Sequence, residues 1–153
     1  MSTRQSVDLI REAKKRGVNV TAEVSPHHLL LDENNIPGDN PMFKMNPPLR
    51  SRADHLALLE GLQDGTLDMI ATDHAPHTAA EKTGSFKTAA FGIVGSETAF
   101  STLYTKLVKS KMFTLKQLIA RMSTIPAEKF DLPGGHITCL LYTSDAADDL
   151  LCV

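Results

Sequence analysis

Hydrophobic and polar residues repeat along the chain first with a helical period and then with an alternating one. Apolar residues recur at helical spacing over residues 7–13, after a sequence at residues 2–5 with the form of a capping box. Gly17 stands where such a helix would end. Residues 18–24 then alternate between apolar and polar side chains, which predicts a strand that stops before Pro26.

The same order of elements returns further along the chain. Ser51 can cap a helix that carries leucines at helical spacing, and residues 67–72 form an apolar run with the length of a buried strand. Two more helices are predicted to begin at Ser96 and Thr114. Pro126 suits the first position of a short last helix.

Alternating helices and strands predict parallel strands joined by right-handed crossovers. Two such strands alone would leave both faces and both edges of a sheet uncovered. A complete (β/α)8 barrel takes about 250 residues, more than the 153 of this chain. The sequence therefore predicts an α/β fold, either a partial (β/α)8 TIM barrel containing only the last βα units or a small α/β domain with further strands.

The composition changes abruptly at the C-terminal end of the sequence. Residues 138–153 are dominated by Asp, Ala and Leu, and they contain both cysteines of the chain. We expect residues 1–137 to form the barrel portion and residues 138–153 to be a non-native or disordered tail that does not pack on it. A natural amphipathic tail is the alternative.

Charge and composition exclude several classes of function. A net charge of -2 leaves no basic surface for nucleic acid. No apolar run reaches the roughly 18 residues that a membrane helix needs, and the first residues do not have the pattern of a signal peptide. The two cysteines lack the spacing of a zinc knuckle or a disulfide framework. These features predict a cytoplasmic protein with reduced thiols.

Two clusters of histidines directly follow the two predicted strands. His27 and His28 come after the first strand, and Asp73, His74 and His77 come after the second. The C-terminal ends of barrel strands carry the active site in such folds. Imidazole and carboxylate groups there suit metal binding or proton transfer, although each residue alone could equally face solvent or cap the local backbone. Their equivalent placement in successive βα units favours a functional site.

Two further segments have features of a binding site. Pro47 and Pro48 stiffen the backbone around Asn46, whose amide offers both a donor and an acceptor to a pyrimidine-like imide. Gly92 and Gly95 precede a predicted helix and would let backbone N–H groups approach a ligand. Either segment alone is also typical of an ordinary loop.

Four segments together resemble the dihydroorotases, which are metal-dependent cyclic amidohydrolases. They are residues 23–31, 44–50, 70–77 and 91–97, and they occur in the order and approximate spacing of the bacterial enzymes. The resemblance covers about residues 1–130. It implies a C-terminal portion of an enzyme that interconverts dihydroorotate and N-carbamoyl-aspartate in pyrimidine (UMP) biosynthesis, on a (β/α)8 barrel with one or two zinc ions.

The resemblance also implies roles for individual residues. Asp73 matches the aspartate that contacts the metal and acts as general base on the metal-bound water. Asn46, His77, Phe91 and Gly92 match positions that contact the substrate, and His77 would lie near its carboxylate. The partners implied are the small-molecule substrate and either a second copy of the chain or aspartate carbamoyltransferase. No metal role is carried over to the histidine pair at residues 27–28.

Several parts of the family pattern have no counterpart in the sequence. They are the His-x-His pair of the first strand, the substrate arginine and the middle metal ligands. Asp73 is then the one metal contact, whereas a catalytic zinc takes about three protein ligands. We therefore expect the isolated chain to be inactive on dihydroorotate and marginally stable.

Two alternatives stay open. Allantoinases and dihydropyrimidinases share the aspartate at the end of the strand, but they usually lack the residues that match Asn46 and His77. A non-catalytic dihydroorotase-like subunit of aspartate carbamoyltransferase would typically lose the aspartate, which is retained here as Asp73. For an active site of the dihydroorotase type, we expect the two strands to be adjacent and parallel. Asp73, His77 and Asn46 should then face one cavity, with Phe91 and Gly92 closing its side.

Overall fold

The computed structural model describes residues 1–136, so the predicted tail at 138–153 and the domain boundary at 137 lie outside the described residues. Six α-helical segments and two strands occur in this range, in the order α1 (Arg4–Lys15), β1 (Glu23–Val24), α2 (Pro26–Leu30), α3 (Arg52–Asp64), β2 (Met69–Ile70), α4 (Ala99–Leu103), α5 (Leu115–Ile119) and α6 (Ile125–Lys129). Short 3-10 turns lie at Glu33–Asn35 and Pro41–Phe43, and π-helical turns lie at Tyr104–Val108 and Ala120–Thr124. The described part is thus rich in helix and has few strand residues.

Strands β1 and β2 are adjacent and parallel, as the sequence predicts. Val24 is paired with Ile70, and the backbone N–H of Ala71 donates to the carbonyl of Val24 at 3.1 Å. The predicted lengths are wrong, because each strand has only two residues instead of the runs 18–24 and 67–72. Alternation of side chains does not make a strand where backbone groups lack a neighbour to pair with, and Val18 in the first run is 51% exposed.

Three helices begin directly after polar residues that cap them, as the sequence predicts. Thr3, one residue later than the first residue of the predicted box, caps α1 and pairs reciprocally with Ser6. Thr114 caps α5 in the same way with Gln117. Ser51 caps α3 by accepting the N–H of Asp54 at 3.2 Å. These side chains satisfy donors that no helical carbonyl can reach.

Two predicted helix starts are wrong. The helix predicted to begin at Ser96 begins at Ala99, after a turn at residues 96–98. The N–H groups of Gly95 and Ser96 both donate to Nδ1 of His74. Pro126 is the second residue of α6, which follows directly from the π-helical turn Ala120–Thr124. Proline has no N–H to donate, and a wide turn before it accommodates the missing bond.

One hydrophobic core joins the helices to the two strands. The fully buried side chains are Leu29, Leu58, Leu62, Leu67, Leu103, Leu118, Val7 and Val24. Arg121 fixes the last helical region to this core, since its guanidinium donates to the carbonyls of Leu62 and Asp68, both at 3.0 Å. The parallel pairing of β1 and β2 places the segments that follow them at one edge of the sheet. None of the helices within residues 1–136 is long and apolar enough to cross a membrane.

The cap of α3 gives the first testable prediction. Replacing Ser51 with Ala removes the acceptor for the Asp54 N–H, so the free energy of unfolding should fall by about 1 kcal/mol. Urea unfolding measures this difference. Ser96→Ala is the matched control, because the residue before α4 that occupies the cap position is Thr98 and not Ser96. An equal loss in both variants would contradict the assignment of Ser51 as a cap.

Candidate active site

Asp73 and Asn46 line the same small cavity beyond the ends of the two strands. The cavity has a volume of about 210 Å³, and its lining includes Ser25, His28 and Pro47. Asp73 follows β2 by three residues and is exposed. Its backbone has a φ of 51°, in the left-handed region that aspartate tolerates better than most residues. The bend turns the chain out of the strand and presents the carboxylate at the sheet edge.

A chain of hydrogen bonds fixes the opposite wall of this cavity. Nε2 of His28 lies 3.1 Å from the carbonyl of Pro47, which can only accept, so this nitrogen carries a proton. Nδ1 of the neutral ring then accepts from the hydroxyl of Ser25 at 2.6 Å. The same hydroxyl oxygen accepts from Nε2 of His27 at 2.9 Å. These bonds tie the end of β1 to the segment that carries Asn46.

Burial keeps both histidines of this hydrogen-bonded chain, His27 and His28, neutral near pH 7. Desolvation lowers the pKa of His27 to about 4, with a further contribution from neighbouring His28. Desolvation also lowers the pKa of His28, opposed by its hydrogen bond to the carbonyl of Pro47. The pair is thus suited to orienting the backbone around Asn46 through fixed tautomers.

The lowered pKa of His27 predicts a loss of stability in acid. The unfolded state takes up a proton near pH 6.5, whereas the folded state does so only near pH 4. Stability should therefore be fully present above pH 6.5 and decline as the pH falls toward 4, by on the order of 2 kcal/mol. Thermal unfolding between pH 4 and 7 measures it. His27→Gln should flatten the decline, and His136→Gln, at an exposed position, should not.

His77 and Gly92 line a second cavity, of about 60 Å³. Nε2 of His77 donates to the carbonyl of Phe91 at 2.8 Å, and Nδ1 lies 3.5 Å from a carboxylate oxygen of Glu81. The prediction of one cavity is thus confirmed for Asp73 and Asn46 and wrong for His77 and Gly92. The bond to the Phe91 carbonyl holds the imidazole in the second cavity.

Phe91 is 58% exposed and lines neither of these two cavities, so the prediction that it closes the side of the cavity at Asp73 is wrong. Its ring lies 4.3 Å from the ammonium of Lys44, at cation–π distance. Lys44 is itself buried, with its ammonium donating to the carbonyl of Ala89. The exposed aromatic ring is therefore held in place by the buried side chain of Lys44.

Sequence reasoning missed the two buried lysines and the role of Ser25. Lys82 is only 6% exposed, yet it stands in a polar stretch that predicts an ordinary surface loop. Ser25 between a strand and Pro26 is likewise inconspicuous. A buried lysine could not be found from a single sequence, because its burial depends on carbonyls that come from distant positions.

Within residues 1–136 no group of three His, Cys, Asp or Glu side chains is arranged to hold a metal ion. Asp73 supplies one suitable oxygen ligand, and a catalytic zinc takes about three protein ligands. The described residues therefore do not by themselves form the zinc site that the resemblance implies.

Solved structures define the class of fold. The chain is similar to L-hydantoinase (dihydropyrimidinase) from Arthrobacter aurescens, with a TM-score of 0.84 and 28% identity over 90% of this chain and 32% of that one. D-hydantoinase from Thermus sp. gives a TM-score of 0.83 and 27% identity over 92% of this chain and 32% of that one. The fold is accordingly that of a segment of a cyclic amidohydrolase of the TIM-barrel type.

Curated sequences identify the family within that class, whereas no family model matches. The dihydroorotase of Lactiplantibacillus plantarum is 67% identical over 132 residues, which are 86% of this chain and 31% of that protein. The dihydroorotase of Lactobacillus acidophilus is 63% identical over 138 residues, 90% of this chain and 32% of that protein. The chain belongs to the dihydroorotase family and spans about a third of the length of these relatives.

Proposed function

We propose that the chain forms part of the active site of a dihydroorotase, which hydrolyses the cyclic amide of dihydroorotate reversibly to N-carbamoyl-aspartate. The observation that carries the proposal is the convergence of Asp73 and Asn46 on one cavity beyond two parallel strands. These residues lie 27 positions apart along the chain, in the loops that follow two adjacent parallel strands. A general base and an amide that can pair with an imide are what hydrolysis of a cyclic ureide requires.

Asp73 is proposed to move the proton in this reaction. Its carboxylate takes a proton from the water whose oxygen attacks the ring carbonyl carbon. The ring C–N bond then breaks, and the same carboxyl group returns the proton to the departing nitrogen. The product gains a carbamoyl NH2 group and a carboxyl group, and the carboxyl group releases its remaining proton to solvent as it ionises, so atoms and charges balance. The carboxylate that would carry out both transfers is exposed, on a bend three residues after β2.

The other candidate residues are proposed to bind and orient the substrate. Asn46, whose position is fixed by the Pro47 carbonyl and His28, would pair with polar groups of the ring. His77 would lie near the substrate carboxylate, with Phe91 and Gly92 beside it. Because His77 and Gly92 line a separate cavity, this role requires the ligand to extend from one cavity to the other.

The surroundings of the site in the whole enzyme are also proposals. Residues 1–137 would supply the last βα units of a (β/α)8 barrel. Zinc would supply Lewis-acid activation of the water when bound, with Asp73 as the contact from this segment and the other ligands from elsewhere. The enzyme would work in the cytoplasm, as a homodimer or together with aspartate carbamoyltransferase.

A segment exchange tests the proposal directly. Residues 1–136 replace the matching third of the Lactiplantibacillus plantarum enzyme, and the purified protein, called the exchange enzyme below, is assayed on dihydroorotate. We expect turnover within about tenfold of the unmodified enzyme. A folded but inactive exchange enzyme would contradict the proposal and favour a non-catalytic dihydroorotase-like subunit.

The second candidate function is that of a hydantoinase or dihydropyrimidinase, which the names of the similar solved structures favour. The same exchange enzyme is therefore also assayed on hydantoin, dihydrouracil and allantoin. Preference for one of these compounds over dihydroorotate would replace the first proposal with the second. The higher identity to dihydroorotases, 61–67% against 24–28% for the solved structures, supports the first.

A further inference from the structure

Lys82 is a buried cation whose hydrogen-bonding capacity is fully used by the backbone. Its side chain is part of a residue only 6% exposed. The ammonium donates to the carbonyl of Lys44 at 2.9 Å, to that of Ala90 at 3.1 Å and to that of Gly92 at 2.9 Å. An ammonium has three donors, and each meets an acceptor here. Lysine is rarely buried unless it is satisfied in this way.

The three carbonyls belong to the two segments that carry candidate substrate contacts. Lys44 precedes Asn46 by two residues, and Ala90 and Gly92 stand on either side of Phe91. The same Lys44 carbonyl also accepts the backbone N–H of Gly92 at 3.0 Å. One ammonium therefore lies where the loop after β1 and the loop after β2 meet.

We propose that Lys82 is a positioning residue for the substrate site, whose ammonium holds the Asn46 segment and the Phe91–Gly92 segment in the one relative arrangement that binds the substrate. This inference rests on the proposed function. Lys82 itself does not touch the substrate, because all three of its donors are directed at the backbone. Its effect on the reaction passes through the two loops.

A charge suits this task better than a neutral side chain. Bonds from an ionised donor are about twice as strong as neutral ones. Here one of them crosses to the loop that carries Lys44, 38 residues away along the chain, and the other two hold Ala90 and Gly92 in the loop that contains Lys82. Burial and the nearby charge of Lys44 lower the pKa of Lys82. The lowered pKa means that burial costs free energy for the charged form of Lys82. A lysine without a role at this place would avoid that cost by lying in solvent.

The test compares Lys82→Met with Lys87→Met in the exchange enzyme. Methionine fills the buried space but removes the charged donor from three carbonyls, of which that of Lys44 keeps the backbone N–H of Gly92. We expect KM for dihydroorotate to rise at least about tenfold in Lys82→Met while kcat falls by less than about threefold. Lys87 lies exposed in the same loop, so Lys87→Met should change neither constant.

A merely structural lysine would give a different result. It would lower the melting temperature and the folded fraction, with KM unchanged in the molecules that remain folded. Lys82→Gln is the second variant should Lys82→Met not fold, since its amide keeps two donors; its KM should lie between those of wild type and Lys82→Met. An unchanged KM in the folded variant overturns the inference.

The wild-type exchange enzyme separates this inference from the proposed function. If it prefers another cyclic amide, the proposed substrate is wrong and the same comparison of KM is made with the preferred compound. If it turns over none of the cyclic amides, both proposals are overturned. If it hydrolyses dihydroorotate and Lys82→Met binds it equally well, only the role of Lys82 is overturned.

Discussion

Replacing Asp73 with Asn in the exchange enzyme should reduce kcat by at least about 10²-fold, the contribution typical of a general base. Asparagine has nearly the same shape and tolerates the left-handed backbone of this position, where φ is 51°. It cannot accept the proton of the attacking water. The fold should therefore survive while the chemical step is lost, and the measurement is kcat at saturating dihydroorotate together with the melting temperature.

Asp131→Asn is a closely matched control for this variant. Asp131 is also an exposed aspartate in the left-handed region, with a φ of 52°, and it does not line the cavity that contains Asp73. Its replacement should leave kcat unchanged. Near-normal turnover in Asp73→Asn would remove the residue from its proposed role, and a comparable loss in Asp131→Asn would show that the effect comes from the backbone.

The convergence of Asp73 and Asn46 could be predicted because it depends on short-range rules. A βα repeat makes the strands parallel, and parallel strands end at the same edge of a sheet. Asp73 comes shortly after β2, and Asn46 lies in the loop after β1 beside Pro47 and Pro48. The approximate location of both residues therefore follows from the order of the elements. Helix starts at Ser51 and Thr114 were predictable for the same reason, since a cap acts within one turn.

The features that the sequence did not reveal depend on contacts between distant positions. His74 looks like a candidate ligand beside Asp73, but its Nδ1 accepts the N–H groups of Gly95 and Ser96. His77 is drawn to the carbonyl of Phe91 and thus into a second cavity. The strand lengths were overestimated because alternation at residues 18–24 and an apolar run at residues 67–72 both report burial. Neither pattern reports whether a neighbouring strand is present to pair with.

Replacing Gly92 with Ala should disrupt the candidate substrate site more than any other change of one methyl group. The backbone of Gly92 has a φ of 147°, which residues with a Cβ rarely adopt. A Cβ built there would also contact the backbone carbonyl oxygen of Ala75, the side chain of Ala75 and Cδ2 of His77, the last two at 2.9 Å. A backbone carbonyl cannot move aside as the end of a flexible side chain can, so the loop itself must shift.

The shift should break the contacts that join the two loops. Gly92 donates its N–H to Lys44 and accepts from the ammonium of Lys82, so moving it displaces both partners as well as His77. We expect kcat/KM for dihydroorotate to fall about 10²-fold, as is typical when groups that position a substrate are misplaced by about 1 Å. Gly38→Ala is the matched control, because its φ is 66° but a Cβ there meets nothing within 4 Å. Equal losses in the two variants would mean that backbone strain alone accounts for the effect, and unchanged kcat/KM in Gly92→Ala would separate this loop from the substrate site.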